Sequence, residues 1–400
     1  MFGLRRYFSL DPDIVFLNHG SFGATPKPVF RVYQRWQRDL ERQPVEFLGR
    51  RATGLMAETR AALADYLGTQ ADNVVYVTNV TVAVNIVARS LRLGPGDEVL
   101  STDHEYGACD RTWHFLARKQ GFTYINQPIP IPLTTPEAFV EALWKGVTPH
   151  TRLLFLSHIT SPTALVFPVA EVCRRARAAG ILTLVDGAHT PGQISLRLDE
   201  LGADFYGANL HKWLCAPKGS GFLYARPEVQ ALLEPLVVSW GWESETPGPS
   251  KFIDHHEWWG TRDLAAFLSV PEAIRFQQEH AWDEVRAACH ALARDAQERI
   301  CELSDSTPLC PPISEFGNGG MKGGLQMSAA GLPDNVDLVA LKTRLYDECR
   351  IEIPLIQWNG RKFIRVSVQG YNTRQDIGAL IRALRSLLQG KITGPVSPSR

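Results

Sequence analysis

The sequence predicts an α/β protein with a mostly parallel sheet, followed by a smaller α+β portion, and three observations carry that prediction. Short apolar runs recur through the middle of the chain: VVYVT (Val74–Thr78), EVLS (Glu98–Ser101), RLLFLS (Arg152–Ser157), ILTLVD (Ile181–Asp186), ADFYGA (Ala203–Ala208) and GFLYA (Gly221–Ala225). Unbroken apolar runs mark strands buried on both faces. Segments with helical spacing separate them, which is the rhythm of a parallel sheet with crossover helices. In such sheets ligands sit beyond the carboxyl ends of the strands, so the residues just after each run are the ones to examine.

Taken in order, the stretch up to Thr25 (LNHGSFGATP at its end) reads as loop. Val32, Trp36 and Leu40 then recur every four residues and predict an amphipathic helix, and Leu55, Ala62, Leu63, Tyr66 and Leu67 predict a second. Within the strand series, AEVCRRARAAG predicts a short helix closed by Gly180. The segment from Ser239 to Asp263, rich in Gly, Pro and Trp, reads as a long ordered loop. It either packs its indoles on the body or forms a pocket wall or subunit contact. Helices are expected near Ala265–His280, Trp282–Leu303 and Val336–Cys349, then the strand Phe363–Val368 and a last helix, Arg374–Leu388. A Gly cluster, Gly317–Gly324, and a polar tail complete the chain.

Four hundred residues suggest two to three domains, or one large domain with an appendage. Lys plus Arg and Asp plus Glu both total 42, which argues against a general binder of nucleic acid or anionic membranes. No run approaches the length of a membrane span. The seven cysteines form no CxxC pair, and the first residues carry no apolar signal region, so a cytoplasmic enzyme is expected. GPGDEV precedes a strand and reads as a turn rather than a dinucleotide loop, and no GxxxxGK[ST] or GxSxG motif occurs. His255 and His256, neighbours in a presumed strand, would point to opposite faces; no metal site is expected there.

The most informative pair is Asp186, at the end of ILTLVD, and Lys212, in NLHKW just past ADFYGA. Both should project from strand ends into one crevice. A desolvated lysine beside Trp213 suits Schiff-base chemistry, and a carboxylate opposite it could keep a pyridinium protonated. A surface lysine and a helix-capping aspartate would look the same in isolation. TNVTVAVN places Asn79, Val80 and Thr81 at the start of a helix, where free backbone N–H groups suit a phosphate.

The ordered set TNVT, HEYGA, SHITSPT, DGAHTPG, NLHKW, WWGTRD and FIRVSVQGYNTR resembles the class V aminotransferase family of fold-type I pyridoxal-phosphate (PLP) enzymes, from about Phe16 to about Leu388. The branch it resembles most is the isopenicillin N epimerase-like one, near the cysteine desulfurases and C–S lyases. The resemblance implies a large PLP-binding domain over 26–264 and a small domain made of 1–25 and 265–400. It makes Lys212 the cofactor-bearing lysine and Asp186 the partner of the pyridine nitrogen, with His189 and Ser161 near the phenolic oxygen. The Val80 backbone, Thr81, His211 and Asn209 would hold the phosphate, joined by Thr261 from the other subunit of a homodimer. Arg365 would grip a substrate α-carboxylate. Tyr106 would stack on the ring, with His104 as runner-up; His19 would lie at the active-site edge at the substrate, with a helix-capping or core role as its alternative.

The stretch IEIPLIQWNGRKFIR lacks the cysteine that a persulfide-forming desulfurase needs, and Cys349 reads as core. The implied activity is therefore PLP-dependent chemistry at Cα of an amino acid. Epimerisation and C–S β-elimination stay open, with transamination behind them; a non-catalytic PLP-fold binding protein is the alternative of another class.

Overall fold

In the computed structural model, residues 3–310 and 324–388 are described. The expected Gly317–Gly324 cluster, apart from Gly324, and the polar tail lie outside them. At the centre is a seven-stranded sheet made of β1 (Val74–Val77), β2 (Glu98–Thr102), β3 (Thr123–Gln127), β4 (Thr151–Ser157), β5 (Leu182–Asp186), β6 (Phe205–Asn209) and β7 (Gly221–Ala225), ordered β1-β7-β6-β5-β4-β2-β3. All neighbours run parallel except β7, which is antiparallel to both β6 and β1. The sheet is buried on both faces: Leu153 and Phe155 of β4 pack into one apolar cluster, Leu154 and Leu156 into another. This is the fold-type I architecture the sequence predicts.

β3 was not anticipated. It is an edge strand, TYINQ, partly exposed along its length, so it lacks the apolar run that betrays a buried strand. The N-terminal stretch is also more ordered than a loop: Val15–Phe16 pairs in parallel with Ile351–Glu352, and His19–Phe22 is a helical turn. The expected helix over Ala265–His280 is broken into Ala265–Leu268 and Val270–Glu279, with Pro271 opening the second piece. Within the tryptophan-rich segment, Lys251–Glu257 is a helix capped by Ser250; His255 and His256 therefore sit on a helix rather than in a strand.

A second sheet combines β8 (Met327–Leu332), β9 (Leu355–Trp358) and β10 (Arg361–Ser367) in the antiparallel order β9-β10-β8, backed by the helix Trp282–Ser304, on which the helix Arg374–Leu388 packs in turn. β8, MSAAGL, has little β-branched character and gave no sequence signal. Two glycines set the geometry that matters below. Gly207 in β6 lies against the Val80–Ser90 helix, where a Cβ would come within 2.7 Å of Ala83 Cβ, so its absence lets that helix sit close on the sheet. Gly23, at φ +71°, presses against the Lys212 loop, where a Cβ would fall 2.0 Å from the His211 carbonyl oxygen.

Candidate active site

The carboxyl ends of β4, β5 and β6 deliver Ser157, Asp186 and Asn209 to one edge of the sheet. β1 ends at the same edge, and the Val80–Ser90 helix starts there. Together they enclose a cavity of about 240 Å³, lined among others by Thr81, Tyr106, Asp186, His189, His211 and Lys212. The residues that the strand-end rule singles out, Asp186 and Lys212, thus line one cavity.

Lys212 is buried, and its Nζ lies 3.2 Å from His189 Nε2. Burial first, then the Arg365 charge, lowers its pKa to about 8, with Asp186 acting in the opposite direction. A group poised there is a free amine in a useful fraction at neutral pH. Asp186 is buried too. Its Oδ1 accepts from the Ala188 amide at 2.8 Å, but Oδ2 meets only the weak Cys109 thiol donor at 3.6 Å. Burial pushes its carboxyl pKa up, against the pull of the Ala188 amide and of Lys212.

Arg365, on β10, is 3% exposed and has no carboxylate partner. Nη1 donates to the Ser161 carbonyl (2.6 Å) and hydroxyl (3.0 Å), Nη2 donates to Ser21 Oγ (3.2 Å), and the buried Nε has no acceptor. Burial brings its pKa down to about 10, so it stays charged near neutrality. A buried, uncompensated guanidinium is costly unless a ligand supplies the anion.

The helix N-terminus differs from expectation. The Val80 amide, expected on a phosphate, donates to Asn209 Oδ1 at 2.9 Å, so the Val80 amide is taken while Asn209, which lines the cavity, keeps its Nδ2 donors. Asn79 Oδ1 caps the Val82 amide at 3.1 Å. The first-turn donors that face the cavity are then the Thr81 amide and hydroxyl, backed by the helix dipole. His211 Nδ1 bonds to the Ser220 carbonyl at 3.1 Å, and burial lowers its pKa to about 4.

His19, expected at the substrate, is not there. It is fully buried beneath the Lys212 loop, with Nε2 donating to the Lys212 carbonyl (3.0 Å) and Nδ1 accepting from the Tyr371 hydroxyl (2.9 Å). Both ring nitrogens are occupied, so His19 holds the loop rather than a ligand. His104 is likewise enclosed, bonded to Thr163 and the Ile129 carbonyl and packed on Trp358, whereas Tyr106 stands half exposed at the cavity mouth. Thr261 is exposed and lies off the cavity of its own chain. Trp240, 85% exposed, and Trp242 point outward, so the tryptophan-rich segment forms no wall of this cavity.

Several residues went unnoticed in the sequence. Ser21 completes the Arg365 cradle, exposed Phe22 stands at the rim, and Glu105 lies beneath it with its carboxyl bonded to Thr102 and Ser157 hydroxyls at 2.6 Å each. Burial raises the Glu105 pKa to about 8. The closely spaced Gly20 and Gly23 around Ser21 were the available signal: such pairs mark close backbone approach.

The unmet valences of this site describe its ligand. One oxygen of a buried carboxylate lacks a strong donor, a buried amine has no anion, a helix start offers free donors, and a buried guanidinium lacks its carboxylate. PLP and an amino-acid substrate would between them present the matching groups: a protonated ring nitrogen, an electrophilic carbonyl carbon and a phosphate from the cofactor, and an α-carboxylate from the substrate. The residues present fit that cofactor.

Comparison with known proteins agrees. A sequence model of the family described as Aminotransferase class-V matches residues 20–315. The chain is similar to isopenicillin N epimerase of Amycolatopsis lactamdurans, with 38% identity over 96% of this chain and 97% of that one. It is 36% identical to the isopenicillin N epimerase of Streptomyces clavuligerus, over 96% and 97%. Among solved structures, the cystine C–S lyase C-DES, in complex with its reaction product cysteine persulfide, superposes with a TM-score of 0.80 at 22% identity, over 94% of this chain and 98% of that one.

Proposed function

The chain belongs to the aminotransferase class-V family and is a PLP-dependent enzyme, and from that premise we propose that it epimerises a substrate bearing a free α-amino carboxylate, of the isopenicillin N type. The observation that carries the proposal is Lys212, buried with a lowered pKa on the cavity wall, and next to that wall Arg365, a buried cation without a counter-ion, bonded to the cavity-lining Ser21 and Ser161. Bound PLP supplies an electron sink that makes the Cα–H of an attached amine acidic. Arg365 holds the α-carboxylate and fixes which substrate bond faces Lys212. Lys212, as a free amine, takes the Cα proton. Asp186 keeps a proton at the pyridine nitrogen, and the Thr81 amide and hydroxyl hold the phosphate at the helix start. Inversion needs a second proton carrier on the opposite face, and Tyr106 at the mouth is the residue we assign to it.

The same reading makes 26–264 the cofactor-binding domain and 1–25 with 265–400 the small domain, supported by the pairing of Val15–Phe16 with Ile351–Glu352. It also makes the protein a homodimer: exposed Val238 and Trp240 offer apolar surface, and exposed Thr261 is free to reach a neighbour's phosphate. No helix among the described residues is long and apolar enough to cross a membrane. Seven free cysteines support a cytoplasmic setting.

The test is incubation with isopenicillin N and a panel of amino acids in deuterium oxide. Deuterium at Cα together with loss of configuration supports the proposal. Pyruvate with a released sulfur compound identifies C–S lysis instead, and a 2-oxo acid identifies transamination.

A further inference from the structure

Lys212 touches one polar side chain at hydrogen-bond distance, His189, and the protonation of that contact is decided one residue away. The Trp213 indole Nε1 lies 3.1 Å from His189 Nδ1. An indole N–H donates and cannot accept, so His189 Nδ1 must be the unprotonated nitrogen. A neutral imidazole then carries its proton on Nε2, the nitrogen 3.2 Å from Lys212 Nζ. An Nε2–H faced with an ammonium group would set donor against donor. The contact is satisfied when Lys212 is a neutral amine that accepts through its lone pair. A doubly protonated His189 is also excluded, because a second N–H would meet the indole N–H.

We propose that Trp213 is a positioning residue that locks His189 in the Nε2–H tautomer, making it a permanent hydrogen-bond donor at the cavity wall and holding Lys212 as a neutral amine. His189 then cannot take a proton from Lys212 or from substrate, since its one lone pair is covered by the indole. In the epimerisation reading this removes His189 from the acid–base candidates and leaves the role of second proton carrier with Tyr106. The arrangement is well supported mechanically. The Trp213 ring is fully buried and packed against Gly20 and the His19 ring, and its backbone is held by Gln277 Nε2 donating to the Trp213 carbonyl at 2.8 Å. Burial and the neighbouring positive charges of Lys212 and Arg365 also disfavour an imidazolium at His189. Lys212 is faced in addition by Asp186, Arg365, Cys109 and His211, all unchanged by a substitution at 213.

The test uses the full-length cofactor-free protein, so its outcome is independent of which reaction the holoenzyme performs. Histidine-selective ¹⁵N labelling, with His189 assigned through a His189→Asn variant, reads the tautomer directly. The expected result is an unprotonated Nδ1 and a protonated Nε2 with no titration between pH 5 and 9. Trp213→Phe should populate the other tautomer. Its Nε2 can then accept from the Lys212 ammonium group, so Lys212 acetylation by acetic anhydride, followed by mass spectrometry, should slow by about threefold at pH 8. If the Phe variant does not fold, a benzothienylalanine at 213 keeps the ring shape and removes the N–H alone. A protonated His189 Nδ1 in the wild type overturns the proposal. So does an N–H-free residue at 213 that leaves both the tautomer and the Lys212 profile unchanged.

Discussion

Two arginines are buried in this protein to nearly the same degree, and they mean different things. Arg60 donates through Nη1 to both carboxylate oxygens of Glu257 at 2.7 Å, joining the Ala52–Leu67 helix to the end of the Lys251–Glu257 helix. Its charge is closed within the chain. The Nε is buried without an acceptor in both arginines, but Arg365 is given only hydroxyl and carbonyl acceptors and no carboxylate. Burial alone therefore does not mark function. The mark is a buried charge whose partner the chain withholds; here Lys212 and Asp186 line one cavity, and Arg365 stands behind its lining residues Ser21 and Ser161.

The comparison breaks most visibly at Lys212. Lys212→Ala should cut activity by roughly a thousandfold or more, since one group both carries the cofactor and moves the proton. The urea midpoint of the cofactor-free protein should hold or rise, because an unpaired buried amine is removed. A large loss of stability would show that Lys212 belongs with Arg60 as a structural group. Arg60→Ala should do the reverse. Stranding the Glu257 carboxylate should cost about 3–5 kcal/mol in urea unfolding while activity per folded molecule is kept, and adding Glu257→Gln should restore part of the loss. Arg365→Gln falls next. KM should rise roughly a hundredfold, as expected for a buried charge pair cut on one side, with unfolding changed by no more than about 1 kcal/mol.

The sequence reading reached one member of this comparison and not the other for a physical reason. Lys212, Asp186 and Arg365 follow strand runs or sit within one, and the rule that ligands gather at strand ends needs only local pattern. The Arg60–Glu257 pair joins residues 197 apart, and neither has a local signal that distinguishes it from a solvated helix charge. The same limit explains the errors inside the site. Nothing local says that the Val80 amide will be taken by Asn209, or that both nitrogens of His19 will be used up by Tyr371 and the Lys212 carbonyl. Trp213 was legible as a neighbour of Lys212. Its contact with His189 depends on how the loop after Asp186 folds back, which no spacing encodes.

The smallest effect concerns groups that the fold keeps neutral instead of charged. Burial lowers the pKa of His19 to about 3 and those of His158, His211 and His256 to about 4. Their folded-state values lie below the unfolded value of about 6.5, so the unfolded chain binds more protons between pH 6.5 and 4. Stability from these groups is therefore present above pH 6.5 and lost as pH falls through that window. Glu105 acts oppositely: with its pKa raised to about 8, its contribution grows as pH falls from 8 towards 4.5. A single histidine isolates the first effect. Among the described residues the His158 ring bonds to the Tyr206 hydroxyl, 3.0 Å from Nδ1, and His158 is not among the residues lining the Lys212 cavity. His158→Asn should shrink the difference in unfolding free energy between pH 7.5 and pH 5 by on the order of 1 kcal/mol, whatever it does to stability at either pH alone. An unchanged difference would mean that His158 takes its proton within the fold, and that burial here costs the imidazolium far less than it costs the uncompensated Arg365.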